Sequence, residues 1–477
     1  MLKLFNTLTR QLEEFKPLVE GKVGFYNCGA TVNNYPHLGN ARSAVFGDLL
    51  KRYLKYSGYQ VKHVVNITDV DDKTIRDSKK AGKKLKDFTD FFASNYIQMF
   101  SEMNLELPDF MPRASEHIQD MLNLVLQLQK NGHTYESQGS VYFKISSFSG
   151  YGQLAQLDKQ NLKYNADKRL NTRDEYDKES VNDFALWKSW AEDDGEVFWD
   201  TPFGKGRPGW HLECSAMSMK YLGETFDIHA GGEDLIFPHH TNEIAQSEGA
   251  TGKKFVNYWL HNAFLYIADK KMSKSLSNFY TLEDIKQKGY SPLILKIILM
   301  KTHYRQPLSF VFEELEEGKN MVRSIINTLL DLDLVSASKD NDVEIKKVID
   351  QTRQGFKEAL DNDLNISEAL AVFFSFLNFL NKNLSRLTRD QAEKAKKFIF
   401  ELDQVLGFIE KFYNAYQEKL KELIGKSEVS QLLEARKFAR QEKDYAKADK
   451  LRGDIANQGL LIEDRNGLSV IKLKSFL

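Results

Sequence analysis

Apolar positions along this chain change their spacing several times, and the changes divide it into segments. Lys22 to Val32 carries Val23, Phe25 and Cys28 in a short strand-like run that ends in Cys28-Gly29-Ala30. From Ala41 to Tyr56 the spacing is helical, with Val45, Leu49, Tyr53 and Tyr56 on one face. Lys62 to Ile67 is short and β-branched, which suits a buried parallel strand. Strand, helix and strand in this order predict an α/β fold with a doubly wound parallel sheet of Rossmann type.

Residues 118–135 are patterned as another amphipathic helix. Ser137 to Trp190 is charged and turn-rich, as in an inserted subdomain with an exposed loop. Gly195, Pro202, Gly204, Gly206, Pro208 and Gly209 then crowd together and predict a loop or hinge. From about 310 to 425 the pattern is almost purely helical. Met321, Ile325, Leu329 and Leu332 make one stripe, and Leu370, Phe374 and Leu377 a second. Phe398, Leu402, Val405 and Ile409 make a third. Such stripes are core packing, and three or more helices with short connections predict a bundle. The last segment, 426–477, starts with a basic helix and ends in apolar Leu460-Leu461-Ile462 and Val470-Ile471, a small C-terminal domain.

Composition narrows the class. The 477 residues suit about three domains, and 42% apolar with 28% charged residues describes a folded chain, not a disordered one. Two cysteines are too few for a disulfide framework, so a reducing, cytoplasmic location is expected. The first residues lack an apolar signal core, and no apolar run approaches the ~18 residues of a membrane span. A net charge of −1 excludes a uniformly basic nucleic-acid binder, yet 66 Lys+Arg against 67 Asp+Glu leave room for local patches. Glu434 to Arg452 is one: Arg436, Lys437, Arg440, Lys443, Lys447, Lys450 and Arg452 outnumber its acids. It reads as a solvated helix face or as an RNA contact.

Three segments carry candidate chemistry. Pro36-His37-Leu38-Gly39-Asn40-Ala41-Arg42 stands between the first strand and the first helix, where free backbone N–H groups suit phosphate. His37 and Asn40 add donors and Gly39 permits close approach; a plain capped turn is the alternative. Lys270-Lys271-Met272-Ser273-Lys274-Ser275 places two lysines three apart among small hydroxyl residues. It forms either a loop that cages polyphosphate or a solvated lysine run. In His239-His240-Thr241-Asn242-Glu243, Pro238 reads as a helix first-turn residue. His239 and Glu243, at i and i+4, then share one face as paired metal ligands do. Cys28 and Cys214 could complete a zinc site, or could be two ordinary buried thiols.

Taken together and in order, these segments resemble a class I aminoacyl-tRNA synthetase. His37-Leu38-Gly39-Asn40 resembles that class's HIGH motif, and Lys271-Met272-Ser273-Lys274-Ser275 matches its KMSKS motif letter for letter. Asn66-Ile67-Thr68-Asp69-Val70-Asp71-Asp72-Lys73, Gly209-Trp210-His211-Leu212-Glu213-Cys214-Ser215-Ala216-Met217 and Phe237-Pro238-His239-His240 resemble the cysteinyl-tRNA synthetase family, nearly end to end. The resemblance implies one zinc ion held by Cys28, Cys214, His239 and Glu243, with Thr68 and Trp210 lining an amino-acid pocket. It implies ATP bound by His37, Gly39, Asn40 and Lys274, with Lys271 and Lys274 stabilising charge on the leaving pyrophosphate, and Mg2+ accompanying the nucleotide. L-cysteine would be joined to tRNA-Cys through a cysteinyl-adenylate, by a chain that is a monomer and has no editing domain. The corresponding domains are a catalytic unit at 1–117 and 206–257, an insert at 118–205, a KMSKS-loop and tRNA-stem region at 258–318, a helical bundle at 319–425 and an anticodon-binding segment at 426–477. Asn33-Asn34, Asn40 and Thr241 depart from the family pattern, as does Glu463 to Ser469, which lacks the family's tryptophan. A related ligase that acylates an amino sugar would use the same core, and a silent RNA-binding relative is the non-enzymatic alternative.

Overall fold

A hairpin of β1 (Lys3–Asn6) and β2 (Gln11–Glu14) leads into β3 (Lys22–Asn27), the strand predicted from Val23 and Phe25. The computed structural model describes residues 1–157, 183–268, 270–271, 279–335, 343–465 and 468–476. After β3 come α1 (Leu38–Tyr56), β4 (Gln60–Val65), α2 (Asp72–Lys80), α3 (Leu85–Glu102) and α4 (Ile118–Lys130). Strands β5 (Thr134–Ser137), β6 (Ser140–Phe143), β7 (Phe184–Ser189), β8 (Trp199–Thr201) and β9 (Gly204–Pro208) then form an antiparallel sheet of their own. The chain returns through α5 (Trp210–Leu222), β10 (Phe226–Gly232), α6 (Thr241–Thr251) and β11 (Val256–Asn262).

Four of these strands pair in parallel in the order β11-β10-β3-β4. The order reverses between β3 and β10, so their carboxyl ends diverge and open the crevice in which doubly wound sheets bind ligands. This is the predicted sheet. The stretch at 195–211 is a different matter. It was expected as a loop or hinge, and it forms the β8–β9 hairpin and its exit into α5. Its glycines serve close approach rather than mobility: a Cβ on Gly206 would lie 2.2 Å from the Lys188 carbonyl oxygen, and one on Gly209 2.0 Å from that of Ala185.

Beyond β11 the chain adds β12 (Leu265–Ile267), β13 (Lys270–Lys271), α7 (Leu282–Gln287), α8 (Pro292–Met300) and β14 (Leu308–Phe310). Helix α8 fixes α1 through a buried ion pair. Lys296 Nζ lies 2.9 Å from Asp48 Oδ2, and the two side chains are 1% and 2% exposed. Asp48 also holds Arg52 at 2.9 Å and accepts the Glu106 backbone N–H at 2.7 Å.

His63, on β4, stacks on Phe25 with ring centroids 4.4 Å apart, and neither of its ring nitrogens has a hydrogen-bond partner among the described residues. Burial, aided by the Lys51 charge, holds its pKa well below the ordinary histidine value. The folded ring stays neutral while the unfolded chain takes up a proton below about pH 6.5, so stability falls as pH drops through that range. His63→Phe is expected to shrink the stability difference between about pH 5 and pH 7.5 by about 2 kcal/mol, read from urea midpoints. An unchanged difference would mean that His63 is protonated in the fold.

The chain divides into two units, Met1–Phe312 with Gln351–Phe373, and Glu313–Asp350 with Phe374–Leu477. Helices α9 (Glu314–Asp333), α10 (Ile345–Asp361), α11 (Ile366–Asn383), α12 (Arg389–Leu406) and α13 (Ile409–Ile424) carry the predicted stripes. Two stripe positions shift by one residue, since Val322 and Phe373 are buried where Met321 and Phe374 are half-buried. The single basic helix expected at 434–452 is two helices, α14 (Ser427–Gln441) and α15 (Tyr445–Asn457), separated by Lys443 in the left-handed region at φ 61°. Arg436 is buried against Asp464 at 2.7 Å, and Arg440 pairs with the same carboxylate, so two of the seven cations already share one acid. A hairpin of β15 (Leu460–Arg465) and β16 (Leu468–Leu473) follows. Among the described residues no helix is long and apolar enough to cross a membrane.

Candidate active site

The crevice at the carboxyl ends of the parallel strands is a cavity of about 600 Å³. The segments leaving β3, β10 and β11 line it with Cys28 and Gly29, with Gly232 and Asp234, and with Asn262 to Leu265. The start of α1 supplies His37, Gly39 and Asn40, and the start of α5 supplies Trp210.

Both thiols of the chain meet beside this cavity. Cys28 Sγ and Cys214 Sγ are 3.9 Å apart across 186 residues, and Cys28 Sγ is 4.0 Å from Glu243 Oε1. His239 Nε2 lies 3.1 Å from the same carboxylate oxygen, as the i, i+4 spacing predicted. Pro238 opens the helical backbone that runs into α6, as expected of a first-turn residue: Phe237 before it is extended (φ −137°, ψ 132°), the Phe237–Pro238 peptide is cis, and the Thr241 N–H donates to the Pro238 carbonyl. Thr241, where the family pattern differs, donates its hydroxyl to the Ile236 carbonyl at 2.7 Å.

Two donor sets lie here with their atoms mutually within 4.8 Å: Cys28, Cys214, His239 and Glu243, and Cys28, His229, His240 and Glu243. Sequence spacing gave no sign of the second. His229 Nε2 is 2.9 Å from Glu243 Oε2, His240 Nε2 is 3.2 Å from Cys28 Sγ, and His240 continues to His261 at 2.7 Å. Burial pushes the Glu243 carboxyl and the Cys28 thiol well above their ordinary pKa values. Burial opposes a thiolate at Cys214 too, yet the hydrogen bond from Cys28 and the His239 ring bring it well below the thiol range. Against the effect of burial, Glu243 and Cys214 hold the His239 ring above the ordinary histidine value; it offers one positive charge to three buried acids, and a dication would supply more. Tetrahedral zinc with Zn–S near ~2.3 Å places two sulfurs roughly 3.8 Å apart, close to the spacing found, so the donors fit zinc.

Opposite the thiols, His37 caps α1. Its Nδ1 accepts from the Asn40 N–H at 3.2 Å, and Asn40 Oδ1 accepts from the His37 N–H at 3.1 Å. The capped turn and the ligand-facing turn are therefore one structure, since both side chains also line the cavity. The Leu38 N–H donates to the Tyr280 carbonyl at 3.0 Å, and the His37 ring meets Phe279 edge-on at 5.3 Å. The backbone at Lys271 pairs with Tyr266. Lys274 lies outside the described residues. Thr68 donates to Glu213 Oε2 at 3.0 Å and is not among the residues lining the cavity. Trp210 lines the cavity and stacks on His239 at 4.4 Å. Asp234, the one acid among the described residues that line the cavity, was not singled out in the sequence, because no spacing ties it to the other site residues.

A parallel sheet with ligand residues at its carboxyl edge and a capped helix facing them is the architecture of class I aminoacyl-tRNA synthetases. Solved structures agree on the fold. A methionyl-tRNA synthetase from Mycobacterium tuberculosis in complex with methionyl-adenylate superposes with a TM-score of 0.60 at 15% identity, covering 83% of this chain and 92% of that one. The family of class I (C) tRNA synthetase catalytic domains matches residues 14–320, a DALR domain 355–410, and the cysteinyl-tRNA ligase anticodon binding domain 426–468. Cysteine–tRNA ligase of Brachyspira hyodysenteriae is 44% identical over 96% of this chain and 97% of its own length. That of Lactobacillus gasseri is 42% identical over 97% and 98%. The chain belongs to the cysteine–tRNA ligase family.

Proposed function

We propose that this ligase joins L-cysteine to tRNA-Cys in two steps within the cavity, and that Cys28, Cys214, His239 and Glu243 hold zinc at its floor. In the first step the cysteine carboxylate attacks the α-phosphorus of ATP; a new O–P bond forms and pyrophosphate leaves. In the second, a ribose hydroxyl of the terminal adenosine attacks the acyl carbon and AMP leaves. The observation that carries this reading is the meeting of two thiols, an imidazole and a carboxylate beside a cavity that the capped start of α1 also lines.

No covalent nucleophile is required of the protein, so its contribution is positioning and charge. The Leu38 and Asn40 N–H groups are already bonded, so at the start of α1 it is the Gly39 N–H and the helix dipole that favour phosphate. With Asn40 Oδ1 spent on the cap, its amide Nδ2 is the donor left for phosphate, and Gly39 lets an oxygen reach the backbone. Lys271 and Lys274 would approach from the opposite side, on a loop whose flanks are tied to β12 and to α1. Asp234 is placed to pair with the substrate ammonium, and Trp210 to cover the side chain. Bound zinc would take the substrate sulfur as thiolate and refuse the harder serine hydroxyl, a distinction that an apolar pocket draws poorly. Magnesium would accompany ATP as its counter-ion. The segments at 258–318 and 426–477 would contact the tRNA stem and anticodon.

Aminoacylation of tRNA-Cys alongside cysteine-dependent ATP–pyrophosphate exchange tests the reading. Chelation is expected to remove about one zinc per chain together with exchange, and added zinc to restore both. Exchange without any charging of tRNA would instead favour the amino-sugar ligase. Full exchange in metal-free protein would refute zinc as the thiolate receptor.

A further inference from the structure

At the mouth of the reaction cavity two aromatic rings stand open to solvent. Tyr35 is 41% exposed and Phe91 46%, with their centroids 5.8 Å apart, and Phe92 backs Tyr35 at 5.4 Å. Packing does not account for leaving these rings uncovered. Cations surround them: Lys83 Nζ lies 5.7 Å from the centre of the Phe91 ring. Lys73 and Arg76 lie on one face of α2 at i and i+3, and both line the same cavity as Tyr35. Lys73 makes no ion pair among the described residues, and Arg76 rests on Asp77, which also receives the Asn33 amide at 2.9 Å. That last bond ties the loop carrying Tyr35 to the helix carrying the cations.

A second cavity of about 840 Å³ adjoins the first, and the two share Thr31, Lys73, Arg76 and Trp210 in their walls. Two acids of the second cavity are already paired, Asp72 with Lys188 and Arg207, and Asp194 with Arg207. The cations of α2 thus face a passage in which those two carboxylates are neutralised; Asp71, which caps α2 by accepting the Thr74 N–H, and Asp193 also line it. Exposed rings interleaved with lysine and arginine are what unpaired nucleic acid requires, since bases stack on the rings while the backbone follows the charge.

We propose that Tyr35 and Phe91, with Lys73, Arg76 and Lys83, form the track on which the unpaired 3′ end of tRNA is laid before its terminal ribose enters the cavity. The inference rests on the two-step reading, which alone brings a ribose hydroxyl to this place. Continuity with the reaction cavity and the sign of the charge select single-stranded RNA over a second copy of the chain.

The test separates the half-reactions. Phe91→Leu keeps an apolar contact for Phe92 and removes the ring. It is expected to lower kcat/KM for tRNA in the transfer step about tenfold while ATP–pyrophosphate exchange stays at the wild-type rate. Binding of tRNA trimmed of its unpaired 3′ end should be unaffected. Arg76→Gln should reduce the slope of log affinity against log salt by about 0.7 for intact tRNA and leave it unchanged for trimmed tRNA. Equal effects on intact and trimmed tRNA would overturn the assignment, as would a fall in exchange that matches the fall in transfer. Loss of self-association with transfer intact would place a second copy of the chain on the patch and likewise refute it. Wild-type protein that shows neither exchange nor charging would instead fail the underlying functional reading.

Discussion

Cys214→Ser is expected to release zinc and to lower cysteine-dependent pyrophosphate exchange by roughly a thousandfold or more. Loss of a residue that merely orients a ligand costs ~10–100-fold, and a direct ligand counts for more. Serine keeps the shape, but its hydroxyl is a hard, weakly acidic donor that cannot replace thiolate on a soft ion. The substitution also separates the two overlapping donor sets, because Cys214 belongs to only one of them. A Cys214→Ser protein that retains both zinc and exchange would assign the metal to Cys28, His229, His240 and Glu243. Zinc content measured alongside exchange, on the same preparation, decides between them. Glu243 and Cys28 are common to both sets and cannot make the distinction.

Asp48→Leu is expected to destabilise the first unit by about 3–5 kcal/mol, because it leaves a buried lysine without its counter-charge. Lys296 is 1% exposed and also donates to the Asn104 carbonyl at 3.1 Å. The denaturant midpoint of that unit reads the effect directly, and a shift of less than about 1 kcal/mol would mean that Lys296 reaches water or gives up its proton. Removing both charges, as Asp48→Leu with Lys296→Met, should recover the part of the loss owed to Lys296 but not the part owed to Arg52 and the Glu106 N–H, which also lose Asp48. The pair also joins α1 to α8, so partial unfolding here would loosen the helix whose first turn faces the cavity.

The parallel sheet was legible because its strands are short and apolar and α1 has one clean stripe. Helix ends were less so, since cap residues rather than periodicity decide them. Residues His37 and Asn40 pull the start of α1 back to Leu38, whereas the stripe alone begins it at Ala41. The glycines at 204–209 were misread because a sequence does not distinguish a glycine that bends from one that lets a carbonyl approach. The basic helix divided at Lys443, where no glycine or proline announces a break. At the site, His239 and Glu243 followed from helical spacing, but the approach of Cys28 to Cys214 is a property of the whole sheet. Family resemblance supplied that pair; periodicity had no access to it. His229, His240 and His261 stayed hidden for the same reason, as each leaves a different element and they meet only in the fold.

The span between the donors has a consequence in time. Cys28 and Glu243 stand 215 residues apart, and a ribosome adding ~5–20 residues per second needs roughly 10–40 s to cover that distance. Throughout that interval the nascent chain carries Cys28 without a complete donor set. Metal capture by the proposed site would therefore be a late event of biogenesis, and a newly made chain would pass through a stage at which its first thiol is open to oxidants.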